Sequence, residues 1–414
     1  MMQHSNTPDL AANAAASDAP QRMPFAEFVL LMALLMAITA LSIDTVLPAL
    51  SVMGEALQVS DINDTQFVIG SLFAGFAIGQ LIYGPLSDSF GRKRSIYLGL
   101  LIFMAGSAIS YQTDSFTYML LGRALQGVGV AATRVVTVAI ARDLYAGRDM
   151  ARVMSIIMAI FIFVPALAPT IGQGVMWVAD WRGIFILFIA ISLFAMLWMH
   201  LRFAESLPMA KRQAFTRAVV WHGVCAVLSN RDTVVYTLCS GLIFGILVVH
   251  LSTARQVFQD HFRTGDLFAF YFALTALSIG LASLINSAIV KRFGMRRISF
   301  NASVALLVLT ALFLGWVALH DGDTPFWSYM VYMPLAFFFI GLLFGNLNAL
   351  AMEPMGEHAG IASAFLGAVS SIVSVTLGTL ISQQYHDSLL PLIAGFFVLA
   401  SLSLGLMRFA TTRP

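Results

Sequence analysis

Gly84-Pro85-Leu86-Ser87-Asp88-Ser89-Phe90-Gly91-Arg92-Lys93-Arg94 joins two apolar runs, at about 65–86 and 95–112. Each polar element in it has a physical use. Gly84 lacks a Cβ and permits close helix approach. Gly91 can take the positive φ of a tight turn. Asp88 is placed to accept from Arg92 or from the N-terminal amides of a neighbouring helix. A weaker copy, SAIVKRFGMRR, begins at Ser287, 203 residues further on, and keeps the Gly followed by a basic pair. An internal echo of this kind implies two similar halves in parallel order.

Outward from these two connections the chain is mostly oil-soluble. It is 59% hydrophobic and 11% charged, with a mean hydropathy of +0.85, against about 25% charged in a soluble domain. Twelve runs approach the ~20 residues that a membrane-crossing helix needs. They cover about 25–50, 65–86, 95–112, 116–141, 152–178, 183–202, 233–253, 267–290, 298–319, 327–352, 361–385 and 389–408. The expected fold is therefore an all-α membrane protein with twelve transmembrane helices in two pseudo-symmetric six-helix bundles. Residues 1–24 are expected to be a disordered cytoplasmic tail, 25–202 the first bundle, 203–232 a basic amphipathic linker, 233–409 the second bundle and 410–414 a short tail.

Orientation follows from Lys and Arg. The N-terminal tail, the even-numbered connections and the C-terminal end hold 18 of the 23, and the odd-numbered connections hold three, Arg182, Arg255 and Arg263. This asymmetry predicts both termini in the cytoplasm. A net charge of +2 gives no reason to expect nucleic acid as a partner. Cys225 and Cys239 do not have metal-site spacing, and no metal is expected.

The remaining charges inside the spans carry the functional reading. Arg123, with Gln126 three residues on, lies about two turns inside span 4, where an arginine is costly unless it faces a cavity or a partner; snorkelling to the outer headgroups is the alternative. Asp44 in span 1 lies about six residues, or ~9 Å, from the outer end of its helix, at a depth similar to that of Arg123. The two are expected to pair, because each alone would be costly. A motion that parts them would release or take up a proton; a static buried pair is the other reading. Arg134, eleven residues beyond Arg123, shares its helix face, and either snorkels or extends the polar stripe of a cavity. His250 is more simply a packed or interfacial residue. Pro165 and Pro169 in span 5, followed by Gly172, free backbone groups and kink the helix.

These segments resemble a known family. The run from Gly84 is similar to the signature of the major facilitator superfamily. That resemblance implies a conformational latch on the cytoplasmic gate made by Gly84, Asp88, Gly91 and Arg92, with Asp88 and Arg92 as its charged parts. Arg123-Ala124-Leu125-Gln126-Gly127-Val128-Gly129 resembles the family's span-4 motif, whose arginine lines the transport cavity and takes part in proton coupling. Val164-Pro165-Ala166-Leu167-Ala168-Pro169-Thr170-Ile171-Gly172-Gln173 resembles the "antiporter" motif of exporters, with Ala168 and Gln173 in place of glycines. The junction from Asn346 and Asn348 through Glu353-Pro354 to Ala364 looks like that of Bcr/CflA-like drug:proton antiporters. The resemblance implies proton-coupled export of an amphipathic drug-like compound or metabolite by alternating access. Proton-coupled uptake on the same fold is the alternative. With the matching depths of Asp44 and Arg123, it makes these two the expected proton-coupling pair, and Gln126, Arg134, Asn346 and Asn348 are the residues expected in the substrate cavity.

Many relatives carry a second acid two turns before Asp44, where this chain has Met36, so substrate charge does not carry over. No phosphate-binding loop appears, so ATP hydrolysis is not expected. No two histidines sit at i, i+4 within a span, and no catalytic cluster or cofactor site is apparent. The expected partners are a small-molecule substrate, protons and the lipid bilayer of the inner membrane, and the expected state is a monomer.

Overall fold

The computed structural model describes residues 23–145, 147–212, 225 and 227–411. Residues 1–22 of the expected tail, 213–224 and 226 of the linker, and 412–414 lie outside the described residues. The long helices are α1 (Phe25–Asp44), α2 (Phe67–Phe90), α3 (Arg92–Gln112), α4 (Phe116–Leu144), α5 (Gly147–Val178) and α6 (Gly183–Arg202), then α7 (Arg231–Arg255), α8 (Phe268–Phe293), α9 (Met295–Leu319), α10 (Phe326–Met352), α11 (Ala359–Ser382) and α12 (Leu390–Thr411). Among the described residues, eleven continuous helical stretches are long and apolar enough to cross a membrane. The described apolar part of α5 is the shorter Phe163–Val178. Helices suit the hydrocarbon interior because each satisfies its own backbone hydrogen bonds.

The breaks between helices follow local chemistry. Gly91 adopts φ 100° between α2 and α3, and Gly294 adopts φ 75° between α8 and α9. The two echoed connections thus make the same kind of turn. Asn230 caps α7 by accepting from the Thr233 amide at 3.0 Å, as an N-cap side chain should. Trp177, Trp316 and Trp327 are exposed near helix ends, where interfacial indoles collect.

Packing runs within α1–α6 and within α7–α12, and also between the two sets. In the first set α4 is gripped by α2 and α3, and α1 lies along α5; in the second, α7 lies against α11 and α12, and α10 against α8 and α9. Two interfaces join the sets, α2 with α11 and α5 with α8. An aromatic step crosses between them: Phe73 of α2 meets Phe244 of α7 edge-on with ring centroids 5.8 Å apart, and Phe244 meets Phe344 of α10 at 5.8 Å. At the basic end, Arg202 of α6 grips Glu27 of α1 through Nε and Nη2 at 2.7 and 2.8 Å, while the Trp198 indole donates to the same carboxylate.

Candidate functional site

The first span is not one continuous α-helix. Regular α1 stops at Asp44, a 3₁₀ turn covers Leu47–Ala49, and a short helix resumes over Leu50–Ala56. The cause is Pro48, which has no amide to donate to the carbonyl four residues back and whose ring crowds it. That carbonyl belongs to Asp44. The next bond shortens as well, because the Ala49 amide turns to Val46 O at 2.9 Å, leaving the Thr45 carbonyl free of its usual helical partner. Asp44 was expected some way inside a straight helix; it stands at the break itself.

Gly172 of α5 fits against this break. A Cβ there would collide with the Thr45 carbonyl oxygen and crowd Pro48 Cγ at 3.1 Å. Gly172 is therefore a contact surface for α1. Pro165 and Pro169 lie inside α5, which nevertheless runs unbroken from Gly147 to Val178.

Arg123 is fully buried on α4. Its Nε donates to Val68 O at 3.1 Å, Nη1 to Gln126 Oε1 at 2.6 Å and Nη2 to Ser42 O at 2.9 Å. The expected ion pair with Asp44 is not formed. The guanidinium reaches the carbonyl two residues earlier on α1 and is held by neutral acceptors from α1, α2 and its own helix. Asp44 is 4% exposed, and its Oδ1 has no hydrogen-bond partner. Depth was readable from sequence, but the direction each side chain takes around its helix was not.

Gln126 also departs from its expected place. It is fully buried, and its Nε2 donates to Ser107 Oγ of α3 at 3.1 Å. It positions Arg123 and ties α4 to α3. Arg134 is half-buried one face-repeat further along α4, beside the buried Thr133. Thr133 shares a hydroxyl contact of 3.0 Å with Thr39 of α1.

Asn346 and Asn348 point different ways, as residues two apart on a helix must. Asn346 exchanges bonds with Asn286 of α8, donating at 2.7 Å and accepting at 3.3 Å. Asn348 accepts from Ser240 of α7 at 2.9 Å. Together they fasten α10 to two neighbours. Asn286 was not singled out from the sequence; a carboxamide in an apolar run was the available signal. His250 is buried in packing, its ring stacked on Phe272 at 5.5 Å and edge-on to Phe337 at 4.7 Å, as the packed reading held.

The quoted connection closes on itself at the basic end. Arg92 is 3% exposed; its Nη1 donates to Asp88 Oδ1 at 2.5 Å and to Ser87 Oγ at 2.7 Å, and its Nε to Asp143 Oδ2 at 2.8 Å. Asp88 therefore takes the arginine. The helix amides go to Glu205, whose carboxylate accepts from the Arg92 and Lys93 amides at 2.9 and 3.2 Å. A carboxylate there suits the positive end of α3. Gly91 is required by its φ of 100°; a Cβ there would also press on Glu205 Oε2 at 2.6 Å, which the flexible Glu205 side chain could relieve by shifting. Gly84 is less constrained, with Ala364 of α11 at an ordinary 3.7 Å from where a Cβ would be. Asp143 and Glu205 were missed in the sequence because nothing local links them to residue 92. In the echoed connection Arg296 approaches Asp232 at 3.7 Å and Glu353 at 4.0 Å, a looser version of the same arrangement.

Long apolar helices, a repeated charged turn and an acid and a base buried within the helices are the features of a multi-pass membrane protein with functional charges inside its spans. The sequence profile of the Major Facilitator Superfamily matches residues 32–379. The chain is 25% identical over 390 residues to the bicyclomycin resistance protein homolog of Haemophilus influenzae, spanning 93% of this chain and 96% of that one. It is 26% identical over 361 residues to multidrug resistance protein D of Escherichia coli, spanning 85% and 87%. The crystal structure of a D-xylose-proton symporter shares the fold, with a TM-score of 0.70 at 16% identity over 92% and 95% of the two chains. The chain belongs to the Major Facilitator Superfamily and is a multi-pass membrane transporter of small molecules.

Proposed function

We propose that this transporter exports amphipathic, drug-like compounds or metabolites in exchange for protons, as a member of the drug:proton antiporter branch of its family. Two relatives named for drug resistance, matched over most of their length, support the export direction. The prolines of α5 are in keeping with it.

One observation carries the proton coupling: Asp44 is buried at a helix break with an unpartnered Oδ1, while Arg123 is held one turn-step away on Ser42 O. An ionised carboxylate buried in oil is costly unless it is paired, which makes Asp44 the group whose proton the transport cycle takes up and gives up. Rocking of residues 25–202 against residues 233–409 around the α2–α11 and α5–α8 interfaces changes what faces Asp44. Exposure to water, or to Arg123, lets it ionise and surrender the proton. Discontinuous helices at the membrane midplane are where carriers place such groups. Arg134, Asn346 and Asn348 serve the substrate side of the site, and Asp88 and Arg92, with Gly84 and Gly91, the latch at the cytoplasmic end. The molecule works as a monomer in the inner membrane, with both termini cytoplasmic.

The test uses everted membrane vesicles with an imposed pH gradient. Asp44→Asn keeps the shape but holds no exchangeable carboxyl proton. Gradient-driven substrate uptake into everted vesicles is expected to vanish at normal protein levels. Unchanged uptake would remove Asp44 from the mechanism, and uptake only into right-side-out vesicles would reverse the direction.

A further inference from the structure

At the end of the molecule away from the basic connections, four carboxamides form one buried cluster. Asn63 and Gln66 lie in the 3₁₀ turn Ile62–Gln66 that leads into α2, Gln256 follows α7, and Gln383 follows α11. Asn63, Gln66 and Gln256 are 4%, 1% and 7% exposed. Gln66 Nε2 donates to Gln256 Oε1 at 2.9 Å and to Ser382 O at 3.2 Å. Gln256 Nε2 returns a bond to Asn63 Oδ1 at 2.9 Å. Asn63 Nδ2 donates to Tyr385 O at 2.8 Å, and Gln383 Nε2 donates back to Asn63 O at 2.8 Å. All five of these bonds run between the first set of helices and the second.

We propose that Asn63, Gln66, Gln256 and Gln383 are the gating residues that hold the outer face shut while the transporter is open or opening toward the cytoplasm. The inference rests on the alternating-access reading above. Two features favour a working gate over incidental packing. The bonds interlock: each carboxamide touches at least two partners, so none is released without loosening the others. Gln256 also opens a π-helical stretch, Gln256–His261, and such irregular turns re-aim side chains and gather at functional sites.

The chemistry suits a reversible closure. Each neutral bond exchanges for one to water when the face opens, so its net contribution is small. Four carboxamides therefore bias the closed state without trapping it. The charged bonds of Arg92 with Asp88 and Asp143 stay within the first set of helices; the outer end closes between the sets with no formal charge in the bonded cluster.

The experiment places spin labels across this face in the full chain, at Ser60→Cys and His386→Cys, both exposed, with Cys225→Ser and Cys239→Ala. Pulsed electron resonance in lipid nanodiscs reads the ratio of long to short inter-label distances. The native cluster is expected to give two populations whose ratio moves when substrate or pH is changed. Asn63→Ala with Gln256→Ala is expected to raise the long-to-short ratio at least fivefold. Gln383→Ala, at a partly exposed position, is expected to raise it about twofold and keeps the test open if the double variant fails to fold. A ratio unchanged in both variants, with native populations that do respond, overturns the gate alone. A single fixed distance in the native protein under every condition overturns alternating access and the gate with it.

Discussion

Arg123 donates through Nη2 to the carbonyl of Ser42 at 2.9 Å and leaves the carboxyl of Asp44, two residues on, without it. Acid and base belong to the packed pair α1 and α4 but are not joined. A joined pair would have to be pulled apart at full cost in a low dielectric.

Arg123 makes its three bonds through a planar fork, which a lysine ammonium cannot reproduce. Arg123→Lys keeps the charge but is expected to lose at least two of the three contacts and to lower pH-driven transport by about tenfold or more. Initial rates in everted vesicles, normalised to protein in the membrane, check this. A rate near the native one would mean that charge alone suffices.

Pro48 creates the break at Asp44, so its removal should mend the helix. Pro48→Ala restores an amide four residues after Asp44, and the regained helical bond is expected to outweigh the freer unfolded chain and raise thermal stability slightly. Transport should fall sharply even so. Melting in detergent and vesicle transport, measured on the same preparation, are expected to move in opposite directions.

Glu205 satisfies the first amides of α3 and sits against Gly91. Glu205→Ala removes that cap, which costs about 1 kcal/mol where similar caps have been removed. Thermal melting of the purified protein should fall accordingly, and Glu205→Gln, which still accepts from the amides, should recover part of the loss.

Asn286 and Asn346 satisfy each other in an otherwise apolar interface. Asn286→Ala leaves Asn346 Oδ1 without its donor, while Nδ2 keeps its bond to Leu342 O at 2.8 Å, at a cost of about 1–3 kcal/mol. The paired change Asn286→Leu with Asn346→Leu removes both polar groups and is expected to regain stability. Transport that stays low in the paired variant would separate a substrate role from a structural one.

The repeat and the apolar runs made the architecture readable, because crossing a bilayer constrains length, polarity and charge placement so tightly. Helix ends came within a few residues for the same reason. What failed concerned direction around the helix axis. Asp44 and Arg123 were matched by depth, which sequence gives, yet their contact depends on azimuth and on the distortion at Pro48. The proline four residues after Asp44 was itself legible and marks where α1 had to break. Glu205 and Asp143 belong to another category. They reach Arg92 across more than fifty residues of chain, and no local pattern announces them. The outer carboxamides were invisible for a similar reason, since Asn and Gln near helix ends are common and only tertiary structure gathers four of them.

Gly172 rests bare on the Thr45 carbonyl, so α5 and α1 meet there main chain to main chain, with no flexible side chain between them as a cushion. α5 also lies along α8 of the opposite bundle. A helix that packs on the opposite bundle thus also bears directly on the peptide unit adjoining the one acid buried in the first span.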